Sequence, residues 1–176
     1  ADPDVDREGG QFGAGVIRGV SLAAVGEALG HEMWLDSTTI DQVVEYAKAK
    51  GESGLKSRFT HPGMSSDGMG RHLGRLFDVR RAGDKAIGDL HFVKSAHDTP
   101  DGDLAEYVMM LTEEDPGAAG LSIVFHHDFE AEDKFSAENT TQDGFQSPDE
   151  RNEKNYPHVR MNELRASDIV DEPAAN

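Results

Sequence analysis

Ser122 and His61 are the two residues whose types and positions most directly suggest catalysis. Ser122 lies within the apolar run 120–125 (GLSIVF), where a packed strand would favour another hydrophobic residue. Its hydroxyl therefore needs either a hydrogen-bond partner, such as the backbone of its own sheet, or a chemical role. A serine becomes a nucleophile when a neutral imidazole accepts its proton and a third group orients that ring. The pair thus predicts a nucleophile and its general base.

His61 is the best-placed histidine for the role of base. Pro62 biases it away from helical angles, and the glycine-rich segment 63–70 that follows could border a cleft. The other histidines lack this setting, because one falls in a strand pattern and three lie near turns (His91; His31, His97 and His158).

The third group should be a buried acceptor, and Asp168 fits this need best. Alternation along residues 164–170 puts Asp168 on the same face as Leu164, Ala166 and Val170. A carboxylate on an apolar face is costly unless it is hydrogen-bonded, as it would be behind a histidine. The alternative is a turn or capping carboxylate at the end of the strand.

Glu163 and His126 are alternative third members that rank below Asp168. Glu163 falls on the polar face beside Arg165, where an ordinary solvated charge pair explains it. His126 shares the strand face of Ser122, but four residues of strand span roughly 13 Å. It would join a site at Ser122 only through a strong bend.

A metal centre at His126, His127 and Asp128 is a weaker interpretation. Imidazole and carboxylate are common zinc or iron ligands, but adjacent residues of a strand point to opposite faces. The sequence also contains no HExxH motif and no phosphate-binding or dinucleotide fingerprint. We therefore predict no metal and no cofactor, and keep a metal-dependent hydrolase as a minor alternative.

The charge of the chain limits the classes of partner. Its 34 acidic and 17 basic residues give a formal net charge of −17, which repels nucleic acids and anionic membranes. No run approaches the roughly 20 apolar residues of a membrane span, and no secretory signal pattern is present. The absence of cysteine excludes disulfides and thiolate metal sites. These features are typical of a soluble intracellular protein.

The hydrophobic pattern predicts one folded unit over residues 16–176, preceded by a flexible segment at 1–15. A helix at 39–50 is expected to be capped by Thr38 or Thr39, and a second begins at Asp101 or Asp103 and ends at Pro116. On that second helix one face should carry Leu104, Tyr107, Val108 and Leu111. Strands are predicted at 16–25, 73–80, 85–93, around Ser122, and at 159–170. Residues 128–157 contain nine acidic and three basic side chains and should form a mobile loop.

This order of elements does not suit a parallel doubly wound sheet. A hairpin interrupts the alternation of strands and helices, and no glycine-rich loop follows the first strand. The sequence instead predicts an α+β fold, with a mixed sheet or small β-barrel and flanking helices.

Residues 16–176 resemble the prohead (capsid maturation) proteases of tailed bacteriophages, which are similar in fold to the herpesvirus assembly proteases. The resemblance lies in the joint order of short motifs. These are Phe59-Thr60-His61-Pro62, Leu73-Gly74-Arg75, Gly88-Asp89-Leu90, the helix ending at Pro116, the run 120–125, and the closing segment 168–174 (DIVDEPA).

The resemblance implies that Ser122 is the nucleophile, His61 the general base and later acid, and Asp168 the orienting acid. Herpesvirus relatives place a second histidine third, and this sequence has no clear equivalent. Candidates for stabilising the oxyanion are backbone N–H groups near Ser122 or the guanidinium of Arg71 or Arg75.

The same resemblance implies a herpesvirus-protease-like fold and a serine endopeptidase of head maturation. Its substrates would be scaffold and major capsid protein segments and the protease itself, inside the prohead in the host cytoplasm. The family also suggests dimers or activation that depends on assembly. The alternative is a noncatalytic scaffold- or capsid-binding module that retains the protease fold.

Overall fold

The computed structural model describes residues 2–61, 69–139, 153 and 156–176. The strands are β1 (Asp4–Asp6), β2 (Val16–Ala24), β3 (Gly26–Ala28), β4 (Met33–Leu35), β5 (Leu55–Arg58), β6 (His72–Ala82), β7 (Lys85–Phe92), β8 (Gly120–His127) and β9 (Met161–Val170). The helices are α1 (Ser37–Lys48), α2 (Leu104–Glu114) and α3 (Phe129–Asn139).

Seven of these strands form one mixed sheet in the order β1-β2-β7-β6-β5-β9-β8. Its neighbours are antiparallel except β5 and β9, which run parallel. β3 and β4 form a separate two-stranded sheet. The predicted α+β class and mixed sheet are therefore confirmed. No helix in the described ranges is both long and apolar enough to cross a membrane.

The sheet curves until the edge strand β8 lies beside β2. Asn176 bridges the two strands, since its Nδ2 donates to the carbonyl oxygens of Ser21 (2.6 Å) and Leu121 (2.9 Å). Ser21 Oγ also donates to Asn176 Oδ1. The N–H of Ala24 donates to the carbonyl of Ala175 at 2.8 Å. Residues 175 and 176 thus tie the two strands together.

Helix α1 forms because apolar residues recur on one face, where Ile40, Val43 and Ala47 are buried. Its cap differs from the prediction. Asp36 is the N-cap and accepts a hydrogen bond from the N–H of Thr39 (2.9 Å), while the N–H of Asp36 donates to Thr39 Oγ1 (3.1 Å). Thr39 is therefore the third helical residue of a capping box and not the cap itself. Asp36 can take the cap position because an aspartate carboxylate accepts this hydrogen bond as well as a threonine hydroxyl does.

Helix α2 begins where the sequence predicted. Asp103 is its N-cap and accepts from the N–H of Glu106 at 2.9 Å. Leu104 and Val108 are buried against the sheet, but Tyr107 is 49% exposed. Ala105 and Met109, which are outside the predicted set, are buried as well, so the buried face of the helix is turned away from Tyr107.

Two segments that were expected to lack structure contain ordered elements. β1 pairs with β2, and Arg7 binds the carboxylates of Glu106 (2.9 Å) and Glu113 (2.5 Å) on α2, so the predicted flexible lead-in is instead part of the fold. Within the predicted loop 128–157, residues 129–139 form helix α3. Residues 140–152, 154 and 155 lie outside the described part of the chain.

Candidate active site

Asp168 is the centre of the candidate site. It lies in β9, between β5 and β8, and its side chain is fully buried. Oδ1 accepts hydrogen bonds from the backbone N–H of Arg58 (3.0 Å) and from Arg58 Nε (2.9 Å). Oδ2 accepts from Arg58 Nη2 (2.8 Å) and from His61 Nδ1 (2.8 Å). These four bonds compensate the loss of hydration of the buried carboxylate.

A β-bulge decides which way Asp168 faces. The pairing of β8 with β9 slips between Val124 and Phe125, which stand opposite Ala166 and Leu164. Leu164 and Ile169 both join the apolar core although five residues separate them, which simple alternation forbids. The prediction that Asp168 shares an apolar face with Leu164 is therefore wrong. Asp168 lies on the opposite face from Ile169, and Arg58 and His61 bind it there.

Ser122 stands directly opposite Asp168 across the β8–β9 ladder. Residues paired in this way lie on the same face of a sheet, with Cα atoms roughly 4.5–5.5 Å apart. Ser122 is half-buried, and in the described part of the chain its hydroxyl makes no hydrogen bond, either to His61 or to another group. Ser122 therefore lies on the same face as Asp168, and its hydroxyl is not engaged.

His61 presents one ring nitrogen to Asp168 and the other to the surroundings. A carboxylate only accepts, so the 2.8 Å contact requires a proton on Nδ1, and in the neutral ring this leaves the lone pair on Nε2. The ring is 42% exposed, which gives Nε2 access to a bound molecule. Tautomer and exposure are those of a general base.

The backbone before His61 is fixed by its neighbours. The N–H of Phe59 donates to the carbonyl of Arg71, and the N–H of Thr60 donates to that of Ile169, each at 2.7 Å. Thr60 adopts a φ of 61°, a conformation that costs a β-branched residue on the order of 1 kcal/mol or more. This turn carries the chain from β5 to a position where the imidazole meets Asp168.

An open cleft adjoins His61 on this face of the sheet, and we call it the His61 cleft. It combines basic side chains from β5 and β9 with the apolar middle of β8. Its lining consists of Lys56, Arg58, His61, Ile123, Val124, Phe125, Arg165 and Ala166. A chain bound in this cleft would lie beside the imidazole.

Arg58 is the site residue that the sequence did not reveal. It binds Asp168 through both guanidinium and backbone, and its side chain is 19% exposed. The contact depends on the parallel pairing of β5 with β9, in which Lys56 stands opposite Ala166 and Arg58 falls beside Asp168. Because 110 residues separate the two partners, no local pattern indicates it.

The alternative third members lie elsewhere. His126 Nε2 is 3.7 Å from Glu163 Oε2, and both side chains are more than half exposed. Arg165 Nη1 lies 3.5 Å from the same imidazole nitrogen. Glu163 is paired with His126 across the ladder, whereas Asp168 is paired with Ser122. The structure does not bring His126 or Glu163 to the Asp168 carboxylate.

The two arginines suggested for the oxyanion have other neighbours. Arg71 Nη1 donates to Thr60 Oγ1 at 3.4 Å, and its Nη2 is 4.0 Å from Asp101. It lines a groove with Phe59 and Tyr107. Arg75 stands opposite Lys56 on β6. Neither arginine lines the His61 cleft.

The histidines considered as metal ligands have other partners. His127 Nδ1 donates to the buried carboxylate of Glu132 at 2.7 Å, whereas His126 is beside Glu163. Over residues 2–61, 69–139, 153 and 156–176, no three histidine, aspartate or glutamate side chains are grouped closely enough to hold a metal ion.

Comparisons of the chain with family models, with curated proteins and with solved structures found no match. Three residues distant in sequence nevertheless meet on one face of the sheet. His61 binds the Asp168 carboxylate, and Ser122 stands opposite that same aspartate.

Proposed function

We propose that this protein is a serine endopeptidase in which Ser122 is the nucleophile, His61 the general base and Asp168 the acid that orients the imidazole. The observation that carries the proposal is the hydrogen bond from His61 Nδ1 to the buried carboxylate of Asp168, with Ser122 directly opposite that aspartate. A nucleophile, a base and an orienting acid are the three parts of acyl-transfer catalysis by serine.

The proposed roles imply a proton path. As Ser122 Oγ attacks the scissile carbonyl, its proton passes to His61 Nε2, while Nδ1–H remains hydrogen-bonded to Asp168. Nε2 then gives the proton to the leaving amine as the peptide C–N bond breaks, which leaves an acyl ester on Ser122. A water molecule, deprotonated by Nε2, attacks the ester, and the proton returns to the serine oxygen. This path requires the unengaged Ser122 hydroxyl to come within hydrogen-bond reach of Nε2 when substrate binds.

The backbone of β8 offers an oxyanion donor. The carbonyl of Leu121 accepts from Asn176, so it points to the edge of β8 away from β9. In an antiparallel ladder alternate residues point their N–H groups to the same edge, which places the N–H of Ile123 there as well. We assign Ile123 N–H as the donor for the developing oxyanion, in place of Arg71 or Arg75.

We further propose that the enzyme acts in bacteriophage head maturation and has a herpesvirus-protease-like fold. The order of motifs in the sequence supports this, as does a mixed sheet that curves until β8 lies beside β2. Its substrates would be scaffold and major capsid protein segments, and the protease itself, inside the prohead in the host cytoplasm. A longer chain that cleaves itself would provide a direct readout.

A fluorophosphonate probe tests the catalytic proposal. We expect covalent labelling at Ser122, lost in Ser122→Ala and in His61→Ala, with the circular dichroism spectrum unchanged. The matched control is Ser53→Ala, because Ser53 is exposed and lies outside the site. Labelling that persists in Ser122→Ala, or that occurs at Ser53, would contradict the assignment.

A noncatalytic binding module is the second candidate, and two observations favour it. Asp168 is bound in bidentate fashion by Arg58, as in a structural ion pair, and Ser122 makes no hydrogen bond to His61. A module would bind scaffold or capsid segments equally well as wild type and as Ser122→Ala, and no form would react with the probe. Cleavage of the bound segment by wild type alone would exclude it.

A further inference from the structure

A second cleft lies next to the His61 cleft and is rich in basic side chains. It is lined by Lys56, Arg58, His72 and Arg75, together with the polar segment that contains Asp98. We call it the basic cleft. Lys56 and Arg58 line both clefts, so the two form one continuous surface beside His61.

Basic side chains face one another across this surface, and of its guanidinium groups only that of Arg58 is paired, with Asp168. Lys56 stands directly opposite Arg75, and Arg58 opposite His72, in the β5–β6 ladder. Like charges directly opposite are destabilising. Burial, and then the charges of Arg75, Lys56 and Arg58, lower the pKa of His72 below its usual value. The folded chain thus maintains an unfavourable concentration of positive charge at this place.

An arginine without a carboxylate partner is unusual in this chain, whose net charge is −17. Seven of the nine arginines that the structure describes lie within 4.0 Å of a carboxylate (Arg7, Arg18, Arg58, Arg71, Arg80, Arg81 and Arg160). The two exceptions are Arg75, in the basic cleft, and Arg165, in the His61 cleft. Neither guanidinium has a carboxylate partner among the described residues, and Arg165 Nη1 has only the 3.5 Å contact with His126.

We propose that the joined clefts bind an acidic polypeptide segment, whose carboxylates pair with Lys56, Arg75 and Arg165. Guanidinium and carboxylate form charge-assisted, often bidentate, hydrogen bonds, and a peptide also fits the apolar middle of β8. That the segment is the substrate of Ser122 rests on the proposed function, whereas the binding itself does not.

A peptide fits this surface better than a nucleic acid does. The net charge of −17 repels a long polyanion, whereas a short acidic segment interacts mainly with charges within a Debye length, about 8 Å at physiological salt.

Fluorescence anisotropy with a labelled ten-residue peptide of alternating Glu and Ala tests the proposal, with a Gln and Ala peptide of equal length as its neutral counterpart. We expect the acidic peptide to bind preferentially. Lys56→Glu or Arg75→Glu should weaken it by about tenfold or more, the effect of losing one charged hydrogen bond. Lys85→Glu is the matched control, since Lys85 lies exposed at the β6–β7 hairpin.

Equal affinity for the two peptides, or equal loss of binding in Lys56→Glu and Lys85→Glu, would overturn the inference. Binding of a ten-residue oligothymidylate as tightly as the acidic peptide would replace the peptide with a nucleic acid and overturn it too. Probe labelling of Ser122 distinguishes the two proposals. Labelling without acidic-peptide binding removes only this inference, and binding without labelling removes only the enzyme.

Discussion

Ser122 and Asp168 are direct cross-strand partners in the β8–β9 ladder, although 46 positions separate them in the sequence. The pairing fixes the serine relative to the carboxylate through the sheet itself. His61 reaches the same carboxylate from the end of β5, on the other side of β9. Two strand pairings, β5 with β9 and β8 with β9, therefore assemble the candidate site.

Asp168→Asn should abolish most of the catalysis while preserving the shape of the site. An amide can turn its N–H₂ towards His61 Nδ1, which then accepts, and the ring loses its lone pair at Nε2. We expect kcat to fall by about 10³- to 10⁴-fold, the scale for the wrong imidazole tautomer. Peptide hydrolysis measures it. Asp41→Asn is the control, because Asp41 pairs with Arg81 at an exposed position, and an equal loss there would refute the role.

Arg58→Lys should separate orientation from charge. A lysine retains the positive charge but cannot reproduce the bidentate contact with both oxygens of Asp168. We expect a loss of unfolding free energy of about 2 kcal/mol and a lower kcat with little change in KM. Chemical denaturation and steady-state kinetics provide the two readouts.

The control for this variant is Arg81→Lys, because the ion pair between Arg81 and Asp41 is exposed. Its effect on unfolding should stay below about 1 kcal/mol. If Arg58→Lys were no more damaging than the control, Arg58 would be a bystander in the site.

The strands and helices with strong local patterns were predictable from the sequence. Helix α1 and the β6–β7 hairpin show apolar periodicity and turn residues that suffice to define them. α3 was not predicted, because its apolar face is weak and its acidic residues are typical of a loop. Its buried Glu132 is stabilised by His127 and by the N–H of Arg160, contacts that local sequence does not show.

The candidate site was only partly predictable, because some of its contacts join residues that are distant in the sequence. Ser122, His61 and Asp168 stand out by residue type and setting, and the structure brings His61 and Asp168 into contact. Arg58 and the bulge beside Arg165 depend on strand pairing across the sheet. Alternation along a strand assigns side chains to a face of the sheet only while the pairing register is unbroken. The bulge breaks the register, so alternation wrongly placed Asp168 on the same face as Leu164.

Asp36 should contribute to stability in a pH-dependent manner. Burial opposes its ionisation, but hydrogen bonds from Arg160, His158 and the N–H of Thr39 outweigh burial and lower the pKa of Asp36 from 3.8 to about 2. A lowered folded-state pKa gives stability that is present above pH 4 and is lost as the pH falls through 2. The contribution is about 2 kcal/mol.

Denaturant titrations of wild type and Asp36→Asn at several pH values test this contribution. The difference in unfolding free energy between them should shrink between pH 5 and pH 2, because only the wild type loses the charged aspartate. Asp171→Asn, at an exposed position, is the control for the substitution itself. A difference between wild type and Asp36→Asn that is constant with pH would argue against the assignment.

Asn176 should stabilise the approach of β8 to β2. Its amide donates to carbonyls of both strands and accepts from Ser21, so Asn176→Ala removes three hydrogen bonds at about 1 kcal/mol or less each at this exposed position. Asn176→Asp should be worse, since it replaces the donor with a negative charge beside two carbonyl oxygens. Chemical denaturation measures both, and Asn162→Ala is the control, because Asn162 makes one long exposed bond of 3.5 Å. Because Leu121 precedes Ser122, the rate of probe labelling should also fall in Asn176→Asp, and unchanged stability and labelling in that variant would show that the bridge does not hold β8 in place.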